Sequence, residues 1–270
     1  MKPPPFAYHA PETVEEAAEL LAQGNGTRVL AGGQSLVQLM KFRLVKPAVL
    51  VDINGVSSLD ALEMRDGDLH VGALVRQQTL LEDDLVGESW PLLREAARFV
   101  GYKETRRRGT LAGSLAFAAP WGELTAAAVA LDASIDVRTA RSERTIAARE
   151  FFRGPHHTAL EPDELIVRVR YPALPAGHGA SFHEVSARYR DYAQVAVAAV
   201  VSPDRSAELV MLCVGPVPYL LTLEDDAALD EQLSDIDPPD DVEASAAYRR
   251  RVAPVLARRA LRDARAKAAA

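Results

Sequence analysis

A single cysteine, Cys213, stands in the 270 residues of this chain. It cannot close a disulfide within the chain, nor supply the several ligands that an iron–sulfur cluster or a cysteine-type zinc site needs. The expected role is a small buried apolar residue in a strand. Long apolar runs are also missing: no stretch is long and apolar enough to span a bilayer. The start, Met1-Lys-Pro-Pro-Pro-Phe-Ala-Tyr8, puts prolines where a secretory signal needs an unbroken apolar segment, which predicts a cytoplasmic chain. Positive charge is in deficit. A net charge of −7 argues against nucleic acid as the main partner, because phosphate binding there is driven by a positive field. Among the few histidines the only adjacent pair is His156-His157, and sequence neighbours point apart on a strand or a helix, so no shared metal and no nucleophilic triad is expected. There is no internal repeat.

What the sequence does hold is a stretch that reads as strand, turn and helix, Thr27-Arg-Val-Leu-Ala-Gly-Gly-Gln-Ser-Leu-Val-Gln-Leu-Met40. Val29, Leu30 and Ala31 make a short apolar run. Gly32 and Gly33 lack the Cβ atoms that would hold a ligand off the backbone, and Ser35 is placed to cap the following helix. An anion there would meet free N–H groups and the positive end of a helix dipole. A Gly-Gly turn between strand and helix is by itself a common joint. A second stretch of the same character, Arg108-Gly-Thr-Leu-Ala-Gly-Ser-Leu115, shifts the balance, since a ligand with two phosphates fits between the two.

Around these stretches the pattern predicts an α+β chain in three units. Residues 1–54 form a small α/β unit: an edge strand, a helix opened by the capping box Thr13-Val-Glu-Glu16, the glycine turn and a buried strand at Ala48-Val-Leu-Val-Asp-Ile53. Residues 55–176 form a larger mixed unit that begins with an Asp66-Gly67 hairpin. It has helices near 76–86 and 90–100, the Arg106-Arg-Arg108 run as a solvated basic approach to the second glycine stretch, and an alanine-rich helix from Pro120 to Ala133. Residues 177–270 hold a three-stranded antiparallel sheet (180–186, 193–201 and 207–214), a short acidic helix within 220–233 and a long terminal helix from Val242 to Ala268, kinked at Pro254, with its arginine pairs facing solvent.

Taken together the chain resembles the FAD-binding medium subunit of the molybdenum hydroxylases, the group of carbon monoxide dehydrogenase and xanthine dehydrogenase. The resemblance rests on Phe6-x-Tyr8-x-x-Pro11, on Ala31-Gly-Gly-Gln-Ser-Leu36 followed by Met40-Lys-Phe-Arg-Leu44, and on Arg108-Gly-Thr-Leu-Ala-Gly-Ser-Leu-Ala116 through Pro120 and Glu123. It continues in Thr158 to Ile166, in Arg188-x-x-Asp191-Tyr-Ala193, and in Tyr248-Arg-Arg with Arg258-Arg-Ala-Leu261. It implies FAD held in the cleft between the first two units. Within Ala31 to Leu36, Gly32, Gly33, Gln34 and Ser35 would contact the pyrophosphate from one side, and Thr110, Ala112, Gly113 and Ser114 from the other. Glu123 would meet ribityl or ribose hydroxyls, Ile166 would touch the ring system, Asp191 and Tyr192 would come near the isoalloxazine, and His183 would stand where relatives place a lysine near the flavin. No side chain is implied as a catalytic acid or base.

The resemblance also implies partners: a small subunit with two [2Fe–2S] clusters and a large molybdenum-pterin subunit, with electrons leaving through FAD to a terminal acceptor. The departures are Ala112 for a second glycine, Gln34 where histidine is frequent, and Phe117 and Ala119 where relatives carry a His-x-Asp pair. These leave two alternatives open, a stand-alone FAD-dependent oxidase or dehydrogenase of a small metabolite, and a non-catalytic dinucleotide-binding protein.

Overall fold

The computed structural model describes residues 2–269 apart from Asn25, Asp226 and Ala227; the Gly24–Gly26 turn and the 220–233 segment therefore each include residues outside the description. In the first unit β1 (Ala7–His9), α1 (Val14–Ala22), β2 (Thr27–Leu30), α2 (Leu36–Lys41) and β3 (Val49–Asp52) build a parallel sheet of order β1-β3-β2. Helix α1 starts where the capping residues put it: Thr13 Oγ1 accepts from the Glu16 N–H at 3.2 Å, and the Glu16 carboxylate accepts from the Glu12 N–H at 2.9 Å. Its Val14, Ala17, Ala18 and Leu21 are buried, the stripe read from the sequence.

The middle of the chain alternates sheet and helix. The hairpin β4 (Leu62–Arg65) and β5 (Asp68–Gly72) turns on Asp66 and Gly67, both at positive φ. Helices α3 (Gln77–Glu82), α4 (Asp84–Ser89), α5 (Pro91–Phe99), α6 (Lys103–Arg108), α7 (Leu111–Phe117) and α8 (Glu123–Ala130) follow. Then come β6 (Ser134–Arg138), β7 (Glu143–Ala147), α9 (Ala148–Phe151), the small pair β8 (Phe152–Gly154) and β9 (His157–Thr158), and β10 (Leu165–Tyr171). The sheet is antiparallel, in the order β4-β5-β10-β6-β7. The expected helix over 76–86 is two helices, because the Asp83 carboxylate accepts from the Val86 N–H at 3.2 Å and starts α4 afresh.

The C-terminal part carries β11 (Gly179–Ser186), β12 (Ala193–Val201), β13 (Ala207–Leu212), β14 (Tyr219–Leu223), α10 (Ala228–Ser234) and α11 (Ala246–Ala268). Here the structure corrects the reading: the antiparallel sheet has four strands, not three. Tyr219–Leu223, expected as the approach to a helix, pairs with β13 from Met211↔Tyr219 to Ala207↔Leu223. A short apolar run is equally compatible with strand and helix, and the pairing edge that decides between them is not visible locally. Two arginines expected in solvent are buried. Arg106 donates to Gln78 Oε1 and to the carbonyls of Val100 and Gly101 at 2.7–3.0 Å. Arg249 donates to Asp241 Oδ1 at 2.8 Å and to the carbonyls of Gln194 and Pro239. Helix α11 runs on through Pro254.

One core extends from Val14 and Val51 through Trp90, Leu115, Val137 and Tyr171 to Phe182 and Leu212, and a second lies between the other face of the C-terminal sheet and α10 and α11. Helix α8 sits at the centre of the first, with Leu124 to Ala130 all buried; alanines on every side let α5, β12 and β13 approach it at once. Replacing Trp90, fully buried with its Nε1 donating to the Pro172 carbonyl at 2.9 Å, by alanine is expected to cost about 3 kcal/mol in a denaturant titration. Among the described residues no helix is long and apolar enough to cross a membrane.

Candidate functional site

The two glycine stretches meet. A Cβ on Gly32 would lie 2.2 Å from the Arg108 carbonyl oxygen and 2.8 Å from Gly109 Cα, so the missing side chain first serves the contact between the two backbones. Gly33 has φ +72, in the left-handed region that turns β2 into α2. Among the described residues the N–H groups of Gly33, Gln34 and Ser35 donate to no backbone carbonyl, and Gln34 Nε2 reaches back to the Gly32 carbonyl at 3.3 Å. Ser35 does not cap α2: its φ and ψ are already helical, and no side-chain hydrogen bond to the first turn forms.

The second stretch is not a loop but the start of a helix. Thr110 is the cap of α7, its Oγ1 accepting from the Gly113 N–H at 3.0 Å, so Ala112, Gly113 and Ser114 lie in the first turns. Ser114 Oγ accepts from Gln77 Nε2 at 2.7 Å, and Gln77 N–H bonds to the Gly109 carbonyl. A Cβ on Gly109 would overlap the Gln77 amide at 2.4 Å. The methyl of Ala112, the departure from a second glycine, is buried at 5 % exposure within the main core and does not stand over the helix end.

A polar chain that the sequence reading missed ties these loops together. Arg76 donates to the Arg108 carbonyl at 2.9 Å and to Asn54 Oδ1 at 2.7 Å; Asn54 donates to the Ala31 carbonyl at 2.9 Å and to Asp52, which also accepts from the Tyr8 hydroxyl at 2.6 Å. Burial pushes the Asp52 carboxyl up, but the bonds from Tyr8 and Asn54 outweigh it and hold the group below the ordinary range. Each partner comes from a different element, so no local pattern announces the chain.

Further along, the aromatic rings of Phe117, His156, Trp121 and Tyr192 form a row. His156 lies 4.5 Å from Phe117 and 5.8 Å from Trp121, and Trp121 lies 4.7 Å from Tyr192 between centroids. Phe117 is thus held by stacking on His156. Asp191 accepts from Arg188 Nε at 3.0 Å and from the Tyr192 N–H, which fixes the turn carrying the half-exposed Tyr192. Ile166 is buried in the main core on β10, against which α7 packs. Cys213, just past β13 at φ +63, donates to the Ala193 carbonyl at 3.2 Å and approaches the Pro120 carbonyl at 3.6 Å; burial pushes its thiol up to about 12.

His183 faces the terminal helix α11. Its Nε2 lies 3.0 Å from Asp263 on α11, as Ser181 Oγ binds the Ala260 carbonyl of the same helix. The alternate residues of β11 face the other way: Phe182 packs on Phe99 of α5 at 5.3 Å, and Glu184 lies within electrostatic reach of Glu123 at the start of α8. A shift of one residue along a strand exchanges the two faces, so Glu184 and not His183 shares the side of Glu123. The apolar alternation of Ala180 and Phe182 was the signal that identifies it.

Both glutamates are held above the ordinary range. Burial pushes Glu123 up to about 7, and burial together with the Glu123 charge pushes Glu184 up to about 9. A carboxyl raised in the folded state contributes its stability below the ordinary glutamate value and loses it as pH rises through the folded one. The Tm of the ligand-free chain minus that of Glu184→Gln is therefore expected to fall steadily between pH 5 and about 9, measured by calorimetry. A constant difference would remove the raised value.

Residues 4–174 match the family described as FAD binding domain in molybdopterin dehydrogenase. The chain is 35% identical to the 6-hydroxypseudooxynicotine dehydrogenase complex subunit alpha of Paenarthrobacter nicotinovorans over 97% of this chain and 95% of that one. It is 31% identical to the carbon monoxide dehydrogenase medium chain of Hydrogenophaga pseudoflava over the full length of both. The fold superposes on the carbon monoxide dehydrogenase structure from the same organism with a TM-score of 0.94, covering 99% of each chain at 30% identity.

Proposed function

Because the chain belongs to the family of FAD-binding subunits of molybdopterin dehydrogenases, we propose that the meeting of its two glycine stretches is the pyrophosphate site of FAD and that its partners are an iron–sulfur small subunit and a molybdopterin large subunit. The observation that supports it most is the contact of Gly32 with Arg108 and Gly109, which sets the free N–H groups of Gly33 to Ser35 beside the start of α7. Two sets of backbone donors neutralise a diphosphate without a formal charge that would have to be desolvated. The donor set fits, and so does the Glu184 Oε2, a shielded acceptor with no partner in the protein. Residues 1–54 and 55–176 are then the two walls of the cleft, and residues 177–270 close it with the turn carrying Asp191 and Tyr192.

Bound FAD supplies the exchange between one-electron and two-electron transfer. The chain's own residues bind and orient. Gly33, Gln34, Ser35, Thr110 and Ala112 offer N–H donors, Glu123 offers oxygens to hydroxyls, and Trp121 with Tyr192 shields one side from water. Electrons would reach this subunit from the [2Fe–2S] clusters of the small partner and leave to a terminal acceptor.

The test is to express the chain with its partner subunits and record the visible spectrum and metal content of the purified complex. Flavin absorbance with iron and molybdenum is expected; a colourless chain that takes up no added FAD would overturn the reading. Arg76→Ala, which frees the Arg108 carbonyl and Asn54 from each other, is expected to weaken FAD binding about tenfold while lowering stability by only about 1 kcal/mol, read by flavin fluorescence and urea titration.

A further inference from the structure

We infer that Glu184 is a positioning residue of the flavin cleft that works as a neutral carboxylic acid, its shielded oxygen completed by a hydrogen-bond donor of FAD, so that its ionisation loosens the cofactor. The inference rests on the FAD site proposed above and adds a residue that the resemblance did not name.

Four observations carry it. Glu184 stands on the face of β11 that also presents Ala180 and Phe182 to the main core, opposite the face that binds α11 through Ser181 and His183. Its Oε2 is closed off from solvent and has no hydrogen-bond partner in the protein, a state that an ionised carboxylate tolerates poorly. The groups in electrostatic range do not favour a negative charge: Glu123 faces it from the start of α8 and Cys213 lies at the end of β13. Lys267 is committed to Glu95 and the Ala180 carbonyl, and Arg249 to Asp241. Finally, the Pro120–Glu123 segment that brings Glu123 to the pair is the one that carries Trp121 against Tyr192 and lies against the Cys213 thiol, so the carboxyl pair and the aromatic row share one wall.

Chemistry then separates two roles for the same two glutamates. Glu123, at the first turn of a helix whose dipole favours a negative charge, is the partner that ionises first. Its charge keeps the proton on Glu184. A protonated carboxyl offers one donor and one acceptor, and a ribityl hydroxyl or a ring amide can meet both. Once Glu184 ionises, two carboxylates share a closed wall and the bound group loses a donor.

The full-length chain is titrated with FAD by fluorescence quenching between pH 7 and 10, for the native protein, Glu184→Gln and Glu184→Leu, with the folded state of each checked by circular dichroism. The native affinity is expected to fall about tenfold between pH 8 and 10. Glu184→Gln, which keeps the shape with a permanent donor and acceptor, is expected to bind as tightly as the native chain at pH 7 and to lose that fall; ionisation of the flavin itself is common to both and cancels. Glu184→Leu is expected to bind about tenfold more weakly at every pH. A native pH slope retained in Glu184→Gln, or undiminished affinity in Glu184→Leu, would overturn the role of Glu184 while leaving the FAD site standing. Absence of FAD binding by the native chain at every pH, alone and in its complex, would overturn both.

Discussion

Gly32→Ala is expected to destroy FAD retention and to cost the folded chain about 1–3 kcal/mol. The added methyl carbon would sit 2.2 Å from the Arg108 carbonyl oxygen and 2.8 Å from Gly109 Cα, both of them backbone atoms that no rotamer change can move aside. The two segments must separate by about an ångström or more for ordinary contact to return, and the Arg76 bond to that same carbonyl must stretch with them. In the proposed site the donors of the two stretches then no longer converge. Gly33→Ala is the control. Its Cβ would meet only the side chains of Val37 at 3.1 Å and Leu30 at 3.3 Å, and the strain comes from φ +72, worth about 1 kcal/mol. If flavin absorbance survives in Gly32→Ala and is lost in Gly33→Ala, the ligand does not depend on the junction of the two stretches.

Arg249→Met has the other large effect, on stability alone. The guanidinium is 1 % exposed on α11 and serves three acceptors at once, the carbonyls of Gln194 and Pro239 and the carboxylate of Asp241. Burial pushes Asp241 up, yet the bonds from Arg249 and from the Ala244 and Glu243 N–H groups hold it below the ordinary range. Methionine fills the volume and leaves all three acceptors to be desolvated without a donor. The loss is expected to be about 3 kcal/mol in a urea titration, at the lower end for a broken buried pair because Asp241 keeps 42 % of its side chain in solvent. Asp241→Asn, which preserves an acceptor, is expected to cost about 1 kcal/mol. Equal losses in the two variants would mean that the charge on Asp241, and not the arginine's role as a three-way donor, holds the loop to the helix.

Much of this architecture is legible in the residues. Thr13 and Glu16 mark the start of α1, Asp66-Gly67 marks the hairpin, and the two glycine stretches identify themselves by type and order. What is not legible comes from contacts between distant segments. Arg106 and Arg249 look like any other members of basic runs until the carbonyls they serve are brought to them by folding, Arg249's across 55 residues in the case of Gln194. Arg76 belongs to no motif, and its partners Asn54 and Arg108 lie 22 and 32 residues away. The strand β14 needs the edge of β13 before it is a strand at all. The side of β11 on which His183 stands is likewise set by the two-residue repeat, which turns it to Asp263 of α11 and its neighbour Glu184 the other way.

The continuity of the main core sets the way the molecule comes apart. Val51 of the first sheet, Leu115 and Val137 of the middle, and Phe182 and Leu212 of the last share one packed interior, so none of these three sheets sheds its neighbours without exposing apolar surface of its own. Helix α10 and most of α11 draw on the other core. Amide hydrogen exchange would then divide the chain into two classes rather than three: a slow class that opens only with global unfolding and includes the first two sheets, and a faster one led by α10, released by local opening. Melting of the three sheets is on this account a single cooperative event, and a bound flavin raises the melting temperature of the whole interior together.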